Sequence, residues 1–428
     1  MSEAGRAAAD GRQSGGGRRS GDGRRSGGGP LTVVIAPDSF KGSLSSIEVG
    51  RALAAGWSRI RPDDRLVLAP LADGGEGTLL AIEEAGGWRR REAPAHDPLG
   101  RPMTGWWLES HDGRAAVMEL AVTSGLSLVA PAERDARAAT TQGTGDVLAA
   151  IIASGVRRVT LGLGGSATTD GGSGALRALG ARFLDGAGRE LPAGGAALAD
   201  LARVDLDGLD PRLGSIDLRI ASDVDNPLLG PRGAAAVYGP QKGLTPDDVS
   251  ELDAALAVFA DAMGRGPGPG GPARIREESQ RRGAGAAGGT TFGLAAIAGR
   301  LRSFSIVPGI DVVIEETDLA AKLSTADLVI TGEGRIDEQT GYGKTALGIA
   351  RLASAAGVPC VAVGGGVTTT GIATLALLGT VVVPVVEAPM TVEQAVALGP
   401  APVERCAERI AGLVSIGLGF GSRPKGRR

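Results

Sequence analysis

The chain has 428 residues, which is enough for two or three domains with hydrophobic cores of their own. Hydrophobic residues make up 43%, charged residues 22%, and the formal net charge is −3, which disfavours a disordered chain or a polyanion-binding protein. The two cysteines exclude a disulfide framework and suit a reducing cytoplasm, and the two histidines exclude a multi-histidine metal site. The low content of aromatic residues disfavours nucleic-acid modules that stack bases on aromatic side chains.

The N-terminal part begins with a stretch that is poor in apolar residues. Residues 1–29 are almost entirely Gly, Arg, Ser, Ala and Asp, so we expect a disordered tail, and we expect a flexible tail at 419–428. Leu31–Ala36 is a β-branched run that predicts a buried parallel strand. Ser46–Ile60 then predicts an amphipathic helix, and Arg65–Ala69 predicts a second strand.

The same strand, helix, strand order recurs near the C-terminus. Ala326–Thr331 predicts a strand, Lys344–Ala356 a helix, and Val358–Val363 and Val381–Val386 two further strands. Alternating β and α elements indicate a parallel sheet covered by helices. The apolar stretch Ile372–Val386 is short for a bilayer and is interrupted by glycine and proline, so we expect no membrane span.

The middle region, 88–290, has a different pattern of short apolar runs that indicate a mixed sheet. The predicted strands there include Trp106–Leu108, Ala115–Leu120 and Leu218–Ala221. Because similar α/β patterns flank this region, we predict one α/β domain formed by 30–87 and 291–418 and interrupted by an inserted α/β domain at 88–290. A cleft between two such domains is a common place for a small-molecule site.

One glycine-rich segment, Val159–Gly172, follows a predicted strand and precedes a predicted helix. Glycines let backbone N–H groups surround an anion, and the N-terminus of a helix favours negative charge. Hydroxyls at Ser166, Thr168 and Thr169 add donors, so the segment predicts an anion or phosphate site. A purely structural turn is the alternative.

The same segment also fits a dinucleotide fingerprint, which keeps a nicotinamide-dependent dehydrogenase as a rival hypothesis. Gly162–Ala167 has the glycine spacing, and Asp185 follows at about the distance of the ribose-binding acid. Against this, Thr168–Gly172 separates the fingerprint from the helix, and Asp185 begins what resembles a hairpin turn.

Lysine is rare in this chain, since only five of the 45 basic residues are lysines. Lys41, Lys242 and Lys344 each adjoin a glycine, where a compact ammonium suits phosphate oxygens in a tight loop; chance is the alternative. The segment Glu338–Thr345 resembles the end of a P-loop, but Glu338 stands where glycine is needed, so that match fails. Lys344 remains either a phosphate ligand at a helix start or a surface lysine.

Acidic residues follow three predicted strands. They comprise Asp73 and Glu76, Asp223 and Asp225, and Glu333 and Asp337. Because open parallel sheets bind ligands beyond the carboxyl ends of their strands, such acids can hold Mg²⁺ or act on a hydroxyl group. Any single acid could equally be a turn residue or helix cap. A non-catalytic anion-binding module would not need so many acids.

Taken together, these segments resemble the bacterial glycerate kinases of the type I family. The resemblance spans about Leu31 to Val386, and the motifs occur in the family's order. They are Ala36–Ser43, Ala72–Thr78, Gly164–Gly172, Asp223–Leu228, Gly239–Gly243, Gly285–Gly289 and Val329–Asp337. Thr169, Ser222, Glu338, Thr290–Phe292 and Gly364–Gly366 depart from the family's pattern, which makes substrate preference the weakest inference.

The resemblance implies an α/β protein with a Rossmann-like or flavodoxin-like parallel-sheet domain interrupted by the inserted domain. It implies ATP-dependent, Mg²⁺-requiring phosphorylation of D-glycerate, usually to 2-phosphoglycerate. We expect the active site in the cleft between the domains, in a cytoplasmic monomer or homodimer whose partners are D-glycerate and ATP, not nucleic acid or a membrane.

Phosphoryl transfer needs cations around the transferring group and a hydroxyl held in line. As a hypothesis, the catalytic residues are Lys41, Asp170 and Asp337, and the substrate-binding residues are Asp38, Ser39, Lys41 and Arg335. The predicted nucleotide or phosphate ligands are Gly164, Gly165, Ser166, Thr168 and Lys344, and the predicted metal ligands are Asp73, Glu76 and Asp223.

Overall fold

The computed structural model describes residues 29–72, 74–75, 77–265, 271–338 and 345–421. Its strands are β1 Thr32–Pro37, β2 Arg65–Leu68, β3 Trp88–His96, β4 Pro102–Ser110, β5 Ala115–Glu119, β6 Arg158–Gly162, β7 Arg182–Leu184, β8 Arg203–Asp205, β9 Asp217–Ala221, β10 Ser303–Val307, β11 Leu328–Ile336, β12 Cys360–Val367 and β13 Val381–Pro384. Its α-helices are α1 Ser46–Ile60, α2 Thr78–Ala85, α3 Ala121–Ser124, α4 Gln142–Ala153, α5 Ser173–Ala178, α6 Ala234–Tyr238, α7 Pro246–Arg265, α8 Gly271–Gln280, α9 Ala286–Ala296, α10 Gly309–Glu316, α11 Leu319–Ser324, α12 Thr345–Ala356, α13 Thr369–Ala376, α14 Val392–Ala397 and α15 Ala401–Gly421.

The first sheet joins both ends of the chain. Its strand order is β13-β12-β11-β1-β2, and every pair in it is parallel. From β1 the chain adds β2 on one side of the sheet. After it has formed the second sheet, it adds β11, β12 and β13 in turn on the other side of β1. The strand order therefore reverses between β1 and β11, and open α/β sheets bind ligands at the carboxyl side of such a reversal.

The second sheet is mixed, as the short apolar runs predict. Its order is β10-β9-β6-β5-β4-β3, with parallel pairs from β10 to β5 and antiparallel pairs from β5 to β3. A separate antiparallel pair, β7 and β8, flanks it. The fold class predicted from the sequence, a parallel-sheet α/β domain with a separate mixed α/β domain, is confirmed by these two sheets and by the similarity to a solved structure reported below.

The chain returns to the first sheet later than the predicted boundary at residue 291. Phe292 and Ile297 are buried in the core of the second sheet, and Ser303–Val307 pairs with β9 as that sheet's edge strand. Residues 291–307 therefore pack with the second sheet, because their apolar side chains are complementary to its core. The exact domain limits predicted at 88 and 290 stay a prediction.

Most predicted elements of the first sheet coincide with observed ones. Helix α1 has the predicted limits, since Ser45 accepts a hydrogen bond from the backbone of Glu48 and Glu48 bonds back to the Ser45 amide in a capping box. The main difference is β11, which continues past Thr331 to Ile336 because Gly332–Ile336 pairs with β12. Among the described residues, no helix is long and apolar enough to cross a membrane.

Candidate functional site

A cavity of about 1120 Å³ lies at the carboxyl edge of the first sheet. Asp38 and Lys41 reach it from the turn after β1, Glu333 and Arg335 reach it from the end of β11, and Asp223 reaches it from the segment after β9 of the second sheet. The cavity thus opens where the strand order of the first sheet reverses, and Asp223 from the segment after β9 also lines it.

The turn after β1 holds the first group of polar side chains. The Asp38 amide donates to the carbonyl of Gly332 over 2.8 Å, which ties the turn to β11. The carboxylate of Asp38 accepts hydrogen bonds from the Ser39 amide at 2.6 Å and from the Thr345 hydroxyl at 2.7 Å. Asp38 and Ser39 are half-buried, whereas Lys41 is exposed in the cavity wall. The predicted substrate-binding residues of this turn therefore share one wall.

The end of β11 provides the second group. Side chains two residues apart on a strand share a face, so Glu333 and Arg335 both line the cavity. Glu333 is 7% exposed, while the Arg335 side chain is 73% exposed. The Arg335 guanidinium lies 3.0 Å from the Asp337 carboxylate, which fixes its orientation. Gly334 lies between them, and a Cβ there would lie 3.1 Å from the Cα of Phe40, so a larger residue would require the β1 turn to shift by a few tenths of an ångström.

Asp223 brings a carboxylate from the second sheet to the same cavity. It is exposed, and its carboxylate accepts a hydrogen bond from the Gly309 amide at 3.1 Å. Gly74 packs beside Gly309 and Ala221 so closely that a Cβ at Gly74 would clash with Gly309. This backbone contact holds Gly74 against the end of β9 and the start of α10.

The cavity also receives the N-terminal ends of several helices. Thr345, Thr368, Thr391 and Pro402, which lie at or beside the starts of α12, α13, α14 and α15, all line it. Helix N-termini carry partial positive charge and favour anions. Together with Lys41 and Arg335, these ends provide cationic groups and amide donors suited to phosphate or carboxylate groups, beside the carboxylates of Asp38, Asp223 and Glu333.

The glycine-rich segment predicted to bind phosphate lies elsewhere, mostly inside the second domain. Thr168 and Asp170 are fully buried, and Ser166 is 8% exposed. The Gly171 amide donates to the carbonyl of Gly288 at 3.0 Å, and a Cβ at Gly288 would clash with the carbonyl of Thr168. The glycines therefore serve close backbone packing against the 285–293 segment along most of this segment. Gly164 and Gly165 are the more accessible members, half-buried and exposed.

Asp170 has a dense set of hydrogen bonds within the protein. Its carboxylate accepts from the Thr141 amide and hydroxyl, both at 2.9 Å, and from the amides of Gly172 and Gly174, both at 3.1 Å. A buried carboxylate with such donors is stabilised in place and anchors the start of α5. Asp170 does not line the cavity, so the structure does not bring it together with Lys41 and Arg335.

Lys242 fastens the same segment from the other side. Its side chain is 1% exposed, and its ammonium nitrogen donates to the Ser166 hydroxyl at 2.9 Å and to the Thr168 carbonyl at 2.6 Å. Burial lowers the pKa of Lys242 from 10.5 to about 7, and the nearby Asp170 partly opposes that shift. Two residues predicted to bind phosphate thus have an internal lysine as their partner.

Three predicted ligands lie outside the described residues: Asp73, Glu76 and Lys344. Within the described ranges, no group of three or more His, Cys, Asp or Glu side chains is arranged to hold a metal ion. Carboxylates of Asp38, Asp223 and Glu333 nevertheless line the one cavity. Mg²⁺ is commonly held by one or two carboxylates plus substrate phosphates, and the described residues fit that mode rather than a metal site made by the protein alone.

The model of the glycerate kinase family matches residues 33–415. A glycerate kinase of Bacillus subtilis strain 168 is 43% identical over 338 residues, which cover 79% of this chain and 86% of the relative. A glycerate 2-kinase of Escherichia coli K12 is 40% identical with the same coverage. A crystal structure of a candidate glycerate kinase 2 from Salmonella typhimurium LT2 superposes with a TM-score of 0.76 at 39% identity, covering 91% of this chain and 99% of that one. The chain belongs to the glycerate kinase family.

Membership of the glycerate kinase family makes this protein a kinase and confirms the resemblance inferred from the ordered motifs. It also decides against the dehydrogenase hypothesis. In agreement, Asp185 stabilises a local turn, because its carboxylate accepts hydrogen bonds from the backbone amides of Ala187 and Arg189. The cytoplasmic location and the monomeric or homodimeric state stay predictions.

Sequence reasoning did not assign a role to several cavity residues of this glycerate kinase family member. The sequence grouped Glu333 with the acids that follow a strand without giving it an individual role, and its two-residue spacing from Arg335 could have placed both on one face of β11. The predicted strand ended at Thr331, so the two-residue spacing beyond it was not interpreted as part of a strand. The lining residues between 385 and 405 carry no motif that would have identified them.

Proposed function

We propose that this protein transfers the terminal phosphoryl group of ATP to D-glycerate, giving 2-phosphoglycerate, in the cavity between its two sheets. The observation that carries the proposal is the meeting of Lys41 and Arg335 with the carboxylates of Asp38, Glu333 and Asp223 in one cavity at the strand-order reversal. Family membership supports the reaction class.

The chemistry explains why such a site needs both signs of charge. Glycerate carries a carboxylate and two hydroxyls, and the phosphoryl group carries negative charge that spreads over its oxygens during transfer. Cations must hold the substrate carboxylate and stabilise the transferring group, while a carboxylate orients the attacking hydroxyl and accepts its proton. A wall that mixes cations and acids meets both requirements.

We assign the cationic roles to Lys41 and Arg335. The planar guanidinium of Arg335 suits a two-point contact with the glycerate carboxylate, and the compact ammonium of Lys41 suits the transferring phosphoryl oxygens. Asp38 and Ser39 border Lys41 and complete the substrate contacts.

The acids divide into one that contacts the substrate and one that orients a cation. Glu333 lines the cavity and is our candidate for accepting the hydroxyl proton. Asp337 lies 3.0 Å from the Arg335 guanidinium and acts as a positioning residue. Asp170 is proposed to position α5 and the glycine-rich segment from the interior, in place of the catalytic role expected from the sequence.

Mg²⁺ would neutralise charge on the nucleotide phosphates when bound. Asp223 is the described carboxylate proposed to hold it, together with phosphate oxygens. Asp73 and Glu76 remain proposed contributors from the loop after β2. Gly164 and Gly165, at the carboxyl edge of the second sheet, remain proposed phosphate contacts, as does Lys344.

The test is turnover of ATP with D-glycerate, followed by direct addition of enolase. Immediate formation of phosphoenolpyruvate indicates 2-phosphoglycerate, whereas a requirement for phosphoglycerate mutase indicates the 3-isomer. L-glycerate and D-lactate serve as matched substrates, since one reverses the stereocentre and the other lacks the terminal hydroxyl. No ATP-dependent product from D-glycerate would refute the proposal.

A further inference from the structure

The cavity has a second part that the phosphoryl-transfer chemistry does not use. Beyond the cationic wall it continues between the segment after β13 and the helices α14 and α15. This apolar lobe is lined by Val386, Pro389, Met390, Ala395, Val396 and Leu398. Its chemistry differs from that of the wall around Lys41 and Arg335.

Helix α14 presents apolar side chains to this lobe instead of burying them. No residue of α14 is buried, and Val392 is 75% and Val396 39% exposed, although both line the cavity. The helix is held locally by a capping box in which Thr391 and Gln394 bond reciprocally. Exposed apolar groups that line a concave surface indicate a ligand that covers them.

The charged group nearest this lobe is already paired within the protein. Arg405 lines the cavity, its guanidinium lies 2.9 Å from the carboxylate of Glu387, and Arg409 bonds to the same carboxylate. Because the Glu387 carboxylate engages the Arg405 guanidinium, the apolar side chains set the chemistry of the rest of the lobe, and they favour contact with an uncharged, flat or apolar group.

The size of the cavity also indicates a ligand larger than glycerate. At about 1120 Å³ it exceeds the roughly 300–1,000 Å³ that is typical for drug-sized ligands, whereas glycerate has only three carbons. A ligand with a polyanionic end and an uncharged aromatic end matches the division between the wall that carries Lys41 and Arg335 and the apolar lobe. A nucleoside triphosphate is such a ligand.

We propose that the apolar lobe under α14 binds the adenine base of the nucleotide, with the triphosphate directed toward Lys41 and Arg335. This inference rests on the proposed function for the identity of the donor, and it adds the location of the base. Binding would bury the apolar face of α14 and would order a helix that has no buried residue in its absence.

The experiment measures nucleotide affinity without turnover, by calorimetry with Mg²⁺ and either ATP or inorganic tripolyphosphate. Ala395→Trp fills the lobe, and Leu377→Trp is the matched control, because Leu377 is 88% exposed and does not line the cavity. We expect Ala395→Trp to weaken ATP binding at least tenfold while tripolyphosphate affinity changes less than twofold. Leu377→Trp should leave both affinities unchanged.

A second measurement is hydrogen exchange of the α14 amides in the wild-type protein. ATP should slow their exchange severalfold, and tripolyphosphate should not. If Ala395→Trp binds ATP with wild-type affinity, the base is not in this lobe. The same conclusion follows if the substitution lowers the affinity for tripolyphosphate as much as it lowers the affinity for ATP. If the wild type binds no ATP at all, the failure lies instead with the proposed nucleotide donor. If raising the protein concentration without nucleotide slows exchange of the α14 amides, a second copy of the chain covers the lobe, and that result would overturn the inference.

Discussion

Replacing Lys242 with methionine tests whether its ammonium is destabilised by burial. The side chain is fully enclosed, and burial lowers its pKa from 10.5 to about 7. In the unfolded chain the lysine keeps its proton until near pH 10.5, whereas the folded protein releases it near pH 7. The folded state therefore binds fewer protons between these values, and its stability must rise with pH across that window.

The magnitude follows from the same two pKa values. A full difference of one bound proton changes the free energy of unfolding by about 1.4 kcal/mol per pH unit. Because Lys242 is half protonated near pH 7, we expect the wild type to gain about 2 kcal/mol from this group between pH 7 and pH 9. Lys242→Met lacks the titrating group, so its stability should lack that gain.

The assay is urea unfolding, followed by circular dichroism, at pH 7, 8 and 9. Ser166→Ala is the control, because it removes one hydrogen-bond partner of Lys242 but leaves the buried ammonium in place. This control should keep the pH dependence of the wild type even if its overall stability falls. Parallel profiles for the wild type and Lys242→Met would refute the argument from burial.

Other substitutions test the site and the packing of the glycine-rich segment. Lys41→Ala should lower kcat at least a hundredfold with little change in Tm, since Lys41 is exposed in the cavity wall; near-normal turnover would remove it from the site. Asp337→Asn should lower kcat about a hundredfold and raise the KM for glycerate because Arg335 loses its charged partner, as steady-state kinetics with varied glycerate would show. Gly288→Ala should destabilise the fold by roughly 2 kcal/mol or more, because its φ is 66° and a Cβ would meet backbone. Gly348→Ala in α12, where nothing lies within 4 Å of a Cβ, should leave the urea midpoint unchanged or raise it.

The cavity wall around Lys41 shows how far sequence patterns reach. A buried parallel strand followed directly by Asp38 and Lys41 places those side chains at the carboxyl edge of a sheet, because strand direction and the order of the residues are local properties. The same reasoning correctly grouped them with Arg335. It gave Glu333 no individual role because it ended the strand at Thr331, and the length of β11 depends on its pairing with β12, a strand more than twenty residues away in the chain.

The glycine-rich segment shows what sequence patterns leave open. Its glycines fit an anion-binding loop as well as they fit close packing, and the two possibilities differ only in what lies next to them. In the folded chain the neighbour of Thr168 is Gly288, more than a hundred residues away, together with Lys242. The burial of Asp170 follows from those contacts.

The sequence by itself determined the strands and helices, their alternation, and the charged residues that follow the strands, because periodicity, capping and turn chemistry act over a few residues. Tertiary structure alone decided which of those residues share a cavity. Burial, pairing length and the meeting of Asp223 with Lys41 depend on segments far apart in the chain, and no local pattern encodes the distance between them.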